Sequence, residues 1–219
     1  MAGNAGRSAL VVGATGLVGR ECVRLLAARP AFGRVLVLSR RALPDDLCGP
    51  TVQTVLADFD HLERHPDAFR VTHVFCALGT TIKQAGSKER FRQVDLGYPL
   101  RVAELARAAG ARHYLLVGSM NADPGSRLFY PRVKGELEQA IISLGFPSVT
   151  IVRPSLLLGS RDEFRLGEVI FKALAWTFPP KYRAVPVRDV ARALVEAAVE
   201  DGPGVRVIEN RDIGRERET

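Results

Sequence analysis

Tyr130 and Lys134 are four residues apart in the segment Tyr130-Pro131-Arg132-Val133-Lys134, so on a helix both side chains share one face. A phenol with an ordinary pKa of about 10 is a poor acid or base at neutrality. A neighbouring ammonium stabilises the phenolate and brings proton transfer within reach. Pro131 suits the first turn of such a helix, where no backbone N–H is needed. Ser119 precedes Tyr130 by eleven positions, and its hydroxyl can hydrogen-bond a substrate carbonyl oxygen and hold it for protonation. In this set Ser119 polarises, Tyr130 transfers the proton and Lys134 tunes and positions, which is the proton half of a carbonyl–alcohol interconversion.

The hydride half needs a cofactor, and a glycine turn supplies a place for one. Gly13-Ala14-Thr15-Gly16-Leu17-Val18-Gly19 follows an apolar run and opens a helical pattern. Glycines there allow a tight turn and let backbone approach a pyrophosphate, while the helix start offers free N–H groups and a positive dipole end. Gly13, Thr15, Gly16, Leu17, Val18 and Gly19 are therefore expected cofactor contacts. The second strand ends at Val37-Leu38 and runs into Ser39-Arg40-Arg41, with no Asp or Glu before Asp45. A carboxylate at this point would bind the ribose 2′-hydroxyl of NAD(H) and repel a 2′-phosphate, which Arg instead clamps. The expectation is NADP(H) over NAD(H), with Arg40 ahead of Arg41 as the contact and Ser39 beside them.

These residues must be positioned by elements, and the chain alternates them. Strands are expected at Ala9–Val12, Arg34–Leu38, Val52–Leu56, Val71–Leu78, His113–Val117, Val149–Val152 and Val205–Glu209. Helices are expected at Leu17–Ala28, Phe91–Ala109, Tyr130–Leu144 and Val190–Val199. Such alternation implies βαβ units and an α/β fold, a doubly wound parallel sheet with helices on both faces. One domain, 1–219, is expected. Residues 159–184 break the rhythm as a small C-terminal insertion with an apolar helix over Gly167–Phe178, placed to cover a substrate.

The composition excludes several classes. Hydrophobic residues make up 47% and charged residues 25% of the 219, ordinary for a globular domain, and no apolar run is long enough for a membrane helix. The start reads as a strand, not a signal peptide, and a cytoplasmic location is expected. The net charge of +7 comes from scattered arginines with no basic run, so nucleic-acid binding is not expected and an anionic cofactor is. Cys22, Cys48 and Cys76 lack metal or disulfide spacing. His61, His65, His73 and His113 are read as surface or structural groups, with no metal site. A small-molecule substrate and a monomer or homodimer complete the expectation.

The order of the glycine turn, Cys76–Thr81, Gly118–Ala122, Tyr130–Glu136 and Arg153–Gly159 resembles the extended and atypical short-chain dehydrogenases/reductases, with a Rossmann-type fold. Leu78-Gly79-Thr80-Thr81, Phe91–Asp95 and Val133–Glu136 look most like the Tat-interacting-protein oxidoreductase branch. The resemblance implies that Asp58, with Phe59, meets the adenine and that Ala77, Leu78, Gly79 and Thr80 lie against the adenosine ribose. It places Lys134 on the nicotinamide ribose hydroxyls, beside Tyr130, and the backbone of Pro154, Ser155 and Leu156 near the nicotinamide. Asp95 departs from an Asn that orders a water relay in many relatives. The reading is an NADP-dependent oxidoreductase acting on a small or medium carbonyl or alcohol. An NADP(H)-binding sensor without catalysis and an NAD-dependent epimerase or dehydratase remain alternatives for the same site.

Overall fold

Apolar residues fill both faces of every central strand, and that decides the architecture. The computed structural model describes residues 6–158 and 183–215. The chain forms strands β1 (Arg7–Val12), β2 (Phe32–Ser39), β3 (Val52–Leu56), β4 (His73–Cys76), β5 (His113–Val117), β6 (Ser148–Arg153) and β9 (Gly204–Glu209). They build one sheet in the order β3-β2-β1-β4-β5-β6-β9, with every neighbouring pair parallel. A separate parallel pair, β7 (Leu157–Leu158) and β8 (Val185–Pro186), flanks the chain just before and after residues 159–182. The expected helix Gly167–Phe178 lies outside the described residues.

Alternate strand residues point to opposite faces. Ala9, Val11, Val35, Val37 and Phe75 pack under α1 (Leu17–Ala27) and α6 (Val187–Glu200), against Cys22, Leu26, Leu194 and Ala198. Leu10, Val12, Leu36, Val74 and Leu116 pack on the other face, against Val102 and Ala106 of α4 (Tyr98–Ala108) and Leu137 and Ile141 of α5 (Phe129–Ser143). Helices therefore cover both faces, as expected of a doubly wound α/β fold.

Two elements differ from the sequence expectation. The strand expected over Val71–Leu78 pairs only at His73–Cys76, because Ala77 and Leu78 leave the sheet toward the glycine turn. The single helix expected over Phe91–Ala109 is three stretches, α3 (Lys88–Arg92), a π turn (Gln93–Gly97) and α4. Pro99 explains the change. It has no N–H to give the carbonyl four residues back, that of Asp95, and its ring crowds that carbonyl. The Tyr98 N–H bonds instead to the carbonyl of Gln93, five residues back. A short α2 (Ile82–Ala85), capped by the Thr81 hydroxyl accepting from the Gln84 N–H at 3.1 Å, precedes them.

His73 and His113 are buried, side by side at the amino ends of β4 and β5, on the edge of the sheet opposite the glycine turn. His113 Nδ1 lies 3.1 Å from Asp201 Oδ1, and its Nε2 lies 2.9 Å from Thr150 Oγ1. His73 Nδ1 lies 2.8 Å from Thr72 Oγ1, while its Nε2, 3.4 Å from Asp201 Oδ1, is out of line for a hydrogen bond. Burial, only partly offset by Asp201, lowers the His73 pKa from 6.5 to about 4. Burial likewise lowers that of His113. Arg112 donates to the other Asp201 oxygen at 3.1 Å. These contacts tie the end of α6 to the base of the sheet.

Candidate functional site

Parallel strands present their carboxyl ends at one edge, and the loops after β1, β4, β5 and β6 meet there. They surround a cavity of about 280 Å³ lined by Gly16, Leu17, Val18, Ala77, Leu78, Gly79, Thr80, Ser119, Tyr130, Lys134, Pro154 and Ser155, all expected from the sequence. Thr81, Gln84, Asp95, Val117, Gly118 and Leu157 complete the wall. The glycine turn and the Tyr–Lys helix thus open on one space.

The turn is shaped by close approach. Gly13 has φ +87°, and a Cβ there would strike the Ala77 carbonyl, 2.8 Å from the Leu78 nitrogen. Gly16 donates its N–H to the Gly13 carbonyl at 2.9 Å and caps α1 without a side chain. No acidic residue occupies the first turn of α1, so its N–H groups and dipole face the cavity uncompensated. Gly13 and Gly19 set this geometry from behind the wall, and Thr15 is exposed at the tip.

On the opposite side, α5 packs tightly on the loop after β5. A Cβ at Gly135 would collide with the backbone of Asp123 and Pro124, so this glycine lets the helix come close. The Asp123 N–H donates to the Pro131 carbonyl at 3.0 Å, fixing the first turn of α5 against the loop that carries Ser119. Among the described residues, Ser119 Oγ is held only by a 3.3 Å donation to the Met120 carbonyl. The Tyr130 ring is 38% exposed and rests on Phe91 at 5.6 Å between centroids. The Lys134 ammonium sits 6.0 Å from the Tyr130 ring centre.

Asp95 is the feature that sequence reasoning did not place. It has no solvent exposure, its Oδ1 lies 2.6 Å from Lys134 Nζ, and its Oδ2 accepts the Thr80 N–H at 2.8 Å. Burial works against the Lys134 charge, but Asp95 and then Tyr130 outweigh it, and its pKa is raised. The signal available in the sequence was Pro99, four residues on, which forces the π turn that aims Asp95 inward. Behind Lys134, one turn further along α5, Glu138 pairs with Arg153 of β6, and Arg153 reaches Glu209 of β9 at 2.9 Å.

The remaining expected residues stand outside the cavity wall. Ser39 is buried, its Oγ accepting the Arg41 N–H at 3.2 Å, and Arg40 and Arg41 are exposed at the carboxyl end of β2. Asp58 is exposed and accepts the Asp60 N–H at 3.0 Å. Phe59 turns its ring into the core against Tyr98, 5.5 Å between centroids. Leu156 is half exposed. The Ser155 N–H donates to Asn210 Oδ1 at 2.7 Å, fixing the loop after β6 from the far end of β9.

A doubly wound sheet with a glycine turn facing a Tyr–Lys helix defines a nicotinamide-dinucleotide type of protein, and the sequence comparison agrees. Residues 9–175 match the NAD dependent epimerase/dehydratase family, and the chain belongs to it. The protein named HTATIP2 of Rattus norvegicus is 34% identical over 213 residues, covering 94% of this chain and 88% of the relative. The protein named FMP52, mitochondrial, of Debaryomyces hansenii is 35% identical, covering 92% of this chain and 94% of the relative. Among solved structures, a short-chain dehydrogenase/reductase family oxidoreductase from Burkholderia thailandensis is 25% identical with a TM-score of 0.72, covering 97% of this chain and 94% of its own. MoeE5 in complex with UDP-glucose and NAD shares the fold at 19% identity and a TM-score of 0.71, over 91% of this chain and 74% of that one.

The expectation of a cytoplasmic location is corrected by these relatives, since several fungal ones are named mitochondrial. It had rested on reading Ala9–Val12 as a strand and not an export signal, which excludes no organelle. Among the described residues, no helix is long and apolar enough to cross a membrane.

Proposed function

We propose that this protein is an NADP(H)-dependent oxidoreductase that interconverts a small or medium carbonyl compound and its alcohol. The observation that carries the reading is that Ser119, Tyr130 and Lys134 line the same cavity as the free helix start Gly16–Val18. A dinucleotide fits this arrangement: the uncompensated N–H groups of α1 would take the pyrophosphate, and Ala77 to Thr80 would lie along the adenosine ribose. Lys134 would hold the nicotinamide ribose, and Pro154 and Ser155 would back the ring. When bound, the cofactor supplies or accepts the hydride. The chain does the rest. Ser119 Oγ, committed to one long backbone contact, turns to the substrate oxygen; Tyr130, open to the cavity on one side, exchanges a proton with it; Lys134 keeps its positive charge beside the phenol.

The preference for NADP(H) is supported by Arg40 and Arg41, both exposed at the end of β2, neither with an ion-pair partner among the described residues. A 2′-phosphate there would meet two guanidinium groups that no described carboxylate pairs. The family match favours a second reading, an NAD-using epimerase or dehydratase, whose proton chemistry would use the same Tyr130 and Lys134. The two are separated by measuring NADPH and NADH consumption with a panel of aldehydes and ketones. Net NADPH oxidation supports the reductase. A nicotinamide cofactor that copurifies and is never consumed supports the second reading and removes the first.

A further inference from the structure

We propose that Asp95 is a positioning residue that cancels the charge of Lys134 as seen by Tyr130 and so sets the pH range over which the phenol exchanges its proton in the carbonyl–alcohol step. This rests on the oxidoreductase reading. Both partners are buried, and the ammonium and the carboxylate lie 2.6 Å apart. The second Asp95 oxygen is held by the Thr80 N–H at 2.8 Å, so the carboxylate cannot swing away without unmaking the loop after β4. The π turn that Pro99 imposes is what brings it there.

The other ionisable groups around Lys134 do not restore a positive charge. Cys76 of β4 is a buried thiol whose pKa is raised by burial, so it is neutral. Glu138 of α5 is closed into its own pair with Arg153. Tyr130, whose ring centre lies 6.0 Å from the ammonium, therefore faces a neutral pair where a lone lysine would present a full charge. A phenol that keeps its proton is a donor. In the reduction, the carbonyl carbon accepts hydride from NADPH, the carbonyl π electrons take the Tyr130 proton, and the phenolate regains a proton from water. The sum is carbonyl, NADPH and one proton giving alcohol and NADP⁺. Alcohol oxidation runs the same steps in reverse, with the phenolate taking the proton, so the pairing sets the pH range of both directions and not the balance between them.

The test is a spectrophotometric titration of Tyr130, taken as the ultraviolet tyrosinate difference between each protein and the same protein carrying Tyr130→Phe. With Asp95→Asn, the uncompensated ammonium should lower the pH at which this phenol ionises by about one unit or more. The optimum of NADPH-dependent reduction should move the same way. In the double variant Asp95→Asn/Lys134→Gln, a neutral pair replaces a neutral pair, and the titration should stay within roughly half a unit of the starting protein. That variant also serves if the single one does not fold. An unchanged titration in Asp95→Asn, or a rise of about a unit or more in the double variant, overturns the proposal. A titration that shifts as expected in a protein that reduces no carbonyl leaves the charge pairing standing and removes the oxidoreductase reading. Reduction without the shift does the reverse.

Discussion

Adding one methyl group at Gly13 tests whether the turn is built by close approach. The residue has φ +87°, where an L side chain costs about 1–2 kcal/mol. The new Cβ would strike the Ala77 carbonyl oxygen, at 2.5 Å from its carbon and 2.8 Å from the Leu78 nitrogen. All three atoms are backbone, and Ala77 is tied to β1 by its N–H donating to the Val12 carbonyl at 2.9 Å, so relief requires moving the end of β4. Such overpacking costs about 1–3 kcal/mol. Gly13→Ala should therefore lose about 2–5 kcal/mol, less the few tenths gained by restricting the unfolded chain. In urea unfolding, with a slope of about 2 kcal/mol per molar, the midpoint should fall by about 1–2.5 M. Because the displaced segment Ala77–Leu78 lines the cavity, dinucleotide affinity should fall as well. Gly33→Ala is the control, since a Cβ there meets nothing within 4 Å, and its midpoint should barely move. A Gly13→Ala protein as stable as Gly33→Ala, or one that binds dinucleotide unchanged, would refute the reasoning.

His73 gives a pH dependence with a definite sign. Its pKa is lowered from 6.5 to about 4 by burial, with Asp201 opposing, so the unfolded chain takes up a proton that the folded chain refuses. The contribution is fully present above about pH 6.5 and is lost as pH falls through about 4, some 3 kcal/mol in all. Denaturation of His73→Asn should show a smaller loss between neutral and acid pH than the unaltered protein, and an equal loss would rule out His73 as the source. Arg40→Ala should weaken NADPH binding about tenfold, one charge-assisted contact, and leave NADH binding unchanged, with Arg41→Ala milder. Calorimetry with both cofactors decides it, and a parallel loss for NADH would mean that Arg40 does not read the phosphate.

Much of the fold was legible because parallel strands buried on both faces read as continuous apolar runs, as in Ala9–Val12 and His113–Val117, and each is followed by an amphipathic helix. The glycine turn and the Tyr–Lys spacing were legible because each is local. The packing of Phe59 on Tyr98 was not legible, because an aromatic after a strand looks alike whether it faces the core or a cleft. His73, His113 and Asp201 are far apart in sequence and meet only through strand register and the end of α6. Asp95 was visible only as a departure from an expected Asn. Its ion pair depends on a helix register that an apolar period does not encode, although Pro99 marks the place.

The central claim is that the phenol of Tyr130 works in the same cavity that takes the dinucleotide. Steady-state NADPH oxidation with a reducible carbonyl, compared between the unaltered protein and Tyr130→Phe, tests it most directly when the cofactor dissociation constant is measured on both. The account predicts a fall in kcat of about a hundredfold or more with cofactor affinity unchanged within about twofold. An undiminished kcat in Tyr130→Phe would contradict it.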